Sequence, residues 1–164
     1  CILTESDKEA IVLGEILNDR HINYAQTLLH YQFPKAEGLQ NTLLQSKKRL
    51  VKLTSGIQAI HDRGNHWIVA TTIDKIVTVY DSVYSTVNKA TRDVINNIFE
   101  TSEIKIANMQ KQTGSKDCGV FAIGVLTALL NGVNPSELTF NTQEMRDHLL
   151  SCFTEKSLTH FPAC

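Results

Sequence analysis

At 164 residues the chain has room for one buried core and is short for two. A net charge of −1 excludes bulk electrostatic attraction to nucleic acid or an anionic membrane, and the most apolar stretch, Val120 to Leu130, is shorter than the ~18 residues that would span a bilayer. Four widely spaced cysteines (Cys1, Cys118, Cys152 and Cys164), with no CxxC, HExxH or clustered Cys/His pair, argue against a disulfide framework or a zinc centre; no metal or cofactor is expected, and a reducing nuclear or cytoplasmic compartment is.

The chain begins at Cys1 with no signal-peptide pattern and reads as a single domain, 1–164, excised from a longer protein. Ile11, Ile16, Leu17, Ile22, Leu28 and Leu29 recur at helical spacing, with Asn18-Asp19 placed as an N-cap between two helices and Pro34 as a stop. Leu39 to Leu50 is a weaker amphipathic stretch, and its Lys47-Lys48-Arg49 cluster reads as a solvated helix face. The character then changes: Ile57–Ile60, His66–Ile73 and Ile76–Tyr80 are rich in Ile, Val and Thr and read as strands. Val87–Phe99 is helical again, Glu103–Met109 alternates as a strand, Asp117–Leu130 is a strongly apolar helix and Thr142–Phe153 an amphipathic one. Helices, then a mainly antiparallel or mixed sheet, then helices describe an α+β fold.

The most informative segment is Gln112-Thr-Gly-Ser-Lys-Asp-Cys118-Gly119, where polar turn-formers run directly into the apolar helix. Cys118 therefore falls in the helix's first turn, where unpaired backbone N–H groups favour a thiolate over a thiol. Free cysteine is also a common core residue, so this segment alone leaves both roles open.

His66 gains meaning from Asp81. Asp74-Lys75 lies between two strand-like runs and suggests a tight hairpin. An even-length loop centred there sets Ile68 opposite Asp81 and His66 opposite Val83. His66, Ile68 and Asp81 then share one face, with His66 and Asp81 as diagonal neighbours roughly 7–8 Å apart at Cα. A three-residue loop would put the two on opposite faces.

Cys118, His66 and Asp81 together form an arrangement for acyl transfer. His66 serves the thiol as base and the leaving amine as acid, and Asp81 fixes the imidazole's tautomer and orientation. An oxyanion needs donors: the Cys118 backbone N–H offers one, and the side-chain amide of Gln112 is a candidate second.

These residues carry a resemblance. His66-Trp67, Tyr80-Asp81-Ser82 at a strand end, and Gln112 ahead of Asp117-Cys118-Gly119-Val120-Phe121 resemble the ubiquitin-like-protein-specific cysteine proteases, the sentrin/SUMO-specific protease family. Leu17-Asn18-Asp19 before Ile22-Asn23, and Met145-Arg146 late in the chain, fit the same family, and the similarity runs from about Leu3 to Leu150. The adenovirus protease branch is less similar.

The resemblance implies a papain-like α+β fold with its catalytic cysteine at the N-terminus of a buried helix. It further implies a monomeric hydrolase that cleaves after the C-terminal Gly-Gly of a ubiquitin-like modifier such as SUMO. Gln112 as oxyanion donor rests mainly on it. In the family the diglycine threads a tunnel roofed by two tryptophans, too narrow for residues other than glycine. One matches Trp67; the other position is Ile16 here. Trp67, Ile16, Asp19, Asp117 and Gly119 are thereby expected on the substrate side. The Ile16 departure leaves the modifier open, with ubiquitin as one alternative, and a modifier-binding module without turnover is the non-enzymatic rival.

Overall fold

The computed structural model describes residues 2–73, 76–100 and 103–164. Among these the order is α1 (Glu5–Val12), α2 (Asp19–Gln32), β1 (Glu37–Gly38), α3 (Leu43–Ser46), β2 (Gly56–Asp62), β3 (His66–Ile73), β4 (Ile76–Tyr80), α4 (Lys89–Phe99), β5 (Ile104–Ile106), α5 (Cys118–Leu130) and α6 (Thr142–Glu155). The strands form one five-stranded sheet in the order β1-β2-β3-β4-β5, parallel at its two outer pairings and antiparallel at the inner two. This is the α+β class expected from the order of elements.

Local chemistry accounts for the helix boundaries. Asn18 caps α2, its side chain accepting from the N–H groups of Arg20 and His21, while His21 Nδ1 accepts from the Asn18 N–H. Thr4 and Asp7 form the same reciprocal box on α1. Asn88 caps α4 by accepting from the Thr91 N–H.

The strand expected over Glu103–Met109 is confined to β5, Ile104–Ile106. Residues 39–50 do not form a helix of that length, only the single turn α3, and β1 was not anticipated. Both trace to the outer edge of β2. There β1 pairs only with Gly56 and Ile57, and glutamine side chains from the flanking segments serve the edge instead. The Ala59 N–H donates to Gln26 Oε1, and Gln45 bonds both backbone groups of His61. Gln58 Oε1, from within the strand, accepts from the Gln40 N–H. Buried backbone groups need partners, and here side chains supply what a longer neighbouring strand would have.

The hairpin turn expected at Asp74-Lys75 lies outside the described residues. The ladder on either side is the even-loop one: Ile73 pairs with Ile76, Ala70 with Val79 and Val69 with Tyr80. Continued by one residue, it sets Ile68 opposite Asp81. Alternation along β3 divides two cores: Trp67 and Val69 face the cluster built around α2, α5 and α6, while Ile68 and Ala70 face Ile95, Ile98 and Phe99 of α4.

Helix α5 lies between the sheet and its neighbouring helices, and every residue from Cys118 to Ala128 is buried. Its first turn sits close against the entry to α2. A Cβ on Gly119 would lie 2.8 Å from Leu17 Cβ, an atom with no freedom to swing away. Gly119→Ala is therefore expected to lower unfolding free energy by about 1–3 kcal/mol, as overpacking does. Urea unfolding checks this, and an unchanged midpoint contradicts it.

Candidate active site

Three elements end at one place: β3 begins with His66, β4 is followed by Asp81, and α5 begins with Cys118. The turn joining β2 to β3 is Arg63-Gly64-Asn65, with Arg63 (φ 52°) and Gly64 (φ 86°) both left-handed, and it delivers His66 opposite Asp62. His66 Nε2 lies 2.7 Å from Asp81 Oδ1, and both side chains are almost wholly buried. The same Oδ1 accepts from the N–H groups of Val83 (2.8 Å) and Tyr84 (2.9 Å), so the carboxylate is anchored by its own following turn. Lys111 Nζ holds that turn from outside through the carbonyls of Asp81 and Tyr84.

Cys118 also lies near enough to the His66 ring to act on its charge. With Nε2 on Asp81, Nδ1 is the ring nitrogen that remains for another partner. Cys118 is buried, and its Sγ lies 3.9 Å from the Asn65 carbonyl oxygen. Burial of the His66 ring opposes its charge. The bond to Asp81, the nearby Cys118 and the negative charge of Asp81 outweigh burial and push the His66 pKa up to about 9. For Asp81, burial works upward, but the bonds from His66, Tyr84 and Val83 hold its carboxyl below the ordinary value.

Gln112 stands beside this group. Its N–H donates to the Ser82 carbonyl (2.8 Å), its Oε1 accepts from Ser82 Oγ (2.5 Å), and its Nε2 donates to the Gly114 carbonyl (3.2 Å). The structure thus brings Cys118, His66, Asp81 and Gln112 to one end of the sheet.

Among the residues expected on the substrate side, Ile16, Asp19 and Trp67 line one cavity of about 1220 Å³, together with Gly64 and Asn65 next to Cys118. Trp67 is largely buried, with its indole N–H donating to the Leu17 carbonyl (3.0 Å), while Ile16 is 41% exposed at the cavity rim. Asp117 and Gly119 are held by structural partners. Gly119 packs on Leu17, and Asp117 Oδ1 accepts from Nε and Nη2 of Arg146 at 3.1 and 2.9 Å. Arg146 also bonds the carbonyls of Lys116, Ala10 and Ile11, tying the Cys118 loop to the end of α1. Asp117 makes no side-chain cap on α5, so its carboxylate is not spent on the first amides of that helix.

Several residues around the site were not legible beforehand. Tyr84 meets the His66 ring edge-on at 5.3 Å, and Arg63 stacks 3.8 Å over Tyr84. Asp62 anchors Arg63 (2.7 Å) and accepts from Thr91 Oγ1. Nothing in an isolated Asp-Arg dipeptide signals this; only the strand pairing does. Asp62, His66 and Asp81 have donor atoms close enough to suggest a cation site. Each acid, however, is already engaged by protein donors, and the group reads as a hydrogen-bonded support for the imidazole. Ser82 had a signal, as the residue closing the Tyr80-Asp81-Ser82 triplet.

No family model matches the chain, and no curated protein matches its sequence. Solved structures do match its fold. The SUMO protease Ulp1 in complex with Smt3, the yeast ortholog of SUMO, superposes with a TM-score of 0.74 at 15% identity, over 94% of this chain and 83% of that one. The Chaetomium thermophilum Ulp1-like SUMO protease catalytic domain gives 0.60 at 16% identity, over 88% and 74%. The Xanthomonas campestris effector protein XopD, bound to ubiquitin, gives 0.57 at 12% identity, over 84% and 90%. The chain has the fold of Ulp1-like SUMO protease catalytic domains.

The raised His66 pKa has a measurable consequence. A histidine held above its ordinary 6.5 adds stability that is fully present below 6.5 and lost as pH rises through about 9. NMR titration of the His66 ring is expected to give a midpoint near 9 that falls in Cys118→Ala, with urea stability declining between those limits. A midpoint near 6.5 contradicts the arrangement.

Proposed function

We propose that the chain is an intracellular cysteine protease that cleaves the bond after the C-terminal Gly-Gly of a ubiquitin-like protein. One observation carries the reading: a buried imidazole is bonded to Asp81 at 2.7 Å, with the helix-start thiol of Cys118 beside it. The fold shared with SUMO proteases supports it.

With a pKa of about 9, His66 is protonated near neutral pH and is set to pair with the sulfur of Cys118, the nucleophile of the reaction. The Cys118 sulfur attacks the terminal glycine carbonyl, and the carbonyl electron pair moves to oxygen. That oxyanion is met by the Cys118 backbone N–H and Gln112 Nε2. As the tetrahedral adduct collapses, the C–N bond breaks and His66 gives its proton to the departing amine, leaving a thioester. Water then attacks the thioester, His66 takes the water's proton, and the sulfur leaves as thiolate. Throughout, Asp81 keeps the ring turned toward the sulfur. The modifier's extended tail would lie in the cavity past Ile16, Asp19 and Trp67.

The modifier's identity has two arms. The SUMO arm rests on the Ulp1 structures. The ubiquitin arm rests on exposed Ile16, which leaves a wider rim than a tryptophan would, and on XopD as a neighbour bound to ubiquitin. Hydrolysis of the C-terminal amidomethylcoumarins of SUMO and of ubiquitin tests both. Turnover of at least one is expected, lost in Cys118→Ala, with Gln112→Ala lowering kcat by roughly 10²–10³ at similar KM, as for loss of an oxyanion donor. Unchanged cleavage by Cys118→Ala sinks the proposal. Tight binding without turnover would instead favour a binding module.

A further inference from the structure

We infer that Ser82 is a positioning residue whose hydroxyl sets which end of the Gln112 amide faces the reaction. The inference rests on the reading of Gln112 as an oxyanion donor.

A glutamine amide is nearly symmetric in shape, yet only its NH₂ end can serve an oxyanion. Its side chain also has several free rotors, and a donor that must first be ordered contributes less to a transition state than a fixed one. At Gln112 both problems have one solution. Ser82 is 3% exposed, and its Oγ meets Gln112 Oε1 at 2.5 Å. A hydroxyl donating to Oε1 holds the carbonyl end inward and leaves Nε2 directed outward. The main chain is pinned at the same place, with the Gln112 N–H on the Ser82 carbonyl at 2.8 Å and Lys111 Nζ on the Asp81 carbonyl at 2.9 Å.

The outward Nε2 now donates to the Gly114 carbonyl at 3.2 Å, in an exposed loop where Gly114 sits at φ 79°. A neutral carbonyl at that length is a weak acceptor, and an oxyanion is a strong one. An amide that Ser82 already holds keeps its Nε2 end available when a stronger acceptor replaces the Gly114 carbonyl. Since Ser82 directly follows Asp81, one strand end fixes both the residue that orients the base and the residue that orients the oxyanion donor.

The test compares wild type, Ser82→Ala, Gln112→Ala and the double variant on whichever amidomethylcoumarin, of SUMO or ubiquitin, the wild type cleaves. Alkylation of Cys118 by iodoacetamide is measured in parallel. That displacement passes through no oxyanion, so it reports the Cys118–His66–Asp81 group alone. Ser82→Ala is expected to lower kcat about tenfold with KM little changed, a part of the loss caused by removing a donor outright. The alkylation rate should hold, and the double variant should match Gln112→Ala.

A fall in kcat that persists in full on the Gln112→Ala background overturns the inference. So does an alkylation rate that falls alongside kcat, since Ser82 would then act through Asp81 or general packing. Wild-type kcat in Gln112→Ala overturns the reading beneath, and the inference with it.

Discussion

The 2.7 Å contact between His66 Nε2 and Asp81 Oδ1 is the constraint on which the rest of the site depends. Once Nε2 is committed to the carboxylate, Nδ1 is the nitrogen left for Cys118, so orientation and function of the ring are decided together. The contact is over-determined. The β3–β4 ladder brings the two side chains to one face, backbone N–H groups of Val83 and Tyr84 hold the carboxylate, and Tyr84 with Arg63 closes over the ring. A buried charge pair is costly unless its remaining hydrogen-bonding capacity is met, and here Asp81 meets it within its own turn.

The sulfur arrives from the opposite core. Helix α5 is apolar enough to be buried throughout Cys118 to Ala128, which fixes its axis, and Gly119 lets its first turn approach Leu17. Arg146 supplies the remaining hold by drawing Asp117, Lys116 and the end of α1 together. Two independent packing problems, sheet register and helix burial, thus meet at one point. An imidazole bonded to a buried carboxylate, with a helix-start thiol beside it, is the electrostatic result, and its elevated pKa is the sign of it.

Much of this was legible in the sequence because it rests on periodicity. The alternation of β3 and β4, with the even-length loop expected between them, carried the pairing of His66 with Asp81. The change from polar turn to apolar run marked the start of α5 within a residue, and Asn18 announced α2. What escaped depended on side chains standing in for secondary structure. Gln26 and Gln45, with Gln58 in the strand itself, serve the outer edge of β2, so residues 39–50 looked helical by spacing while making specific side-chain bonds to a strand. Asp62, Arg63 and Tyr84 have no local signal, because beyond the adjacent Asp62–Arg63 pair their partners are distant in sequence: Thr91 for Asp62, Tyr84 for Arg63 and His66 for Tyr84. Asp117 and Gly119 were expected on the substrate side through resemblance alone; the structure gives them contacts with Arg146 and Leu17.

The account stands on Cys118 as the atom that takes the acyl group. Its most direct test is to incubate the protein with ubiquitin and with SUMO carrying a propargylamide in place of the terminal glycine carboxylate, then locate the adduct by intact mass and peptide mapping. The account predicts one adduct of one modifier mass, on Cys118, absent in His66→Ala. Labelling at Cys152 or Cys164 with Cys118 untouched, or adduct formation indifferent to His66, would contradict it.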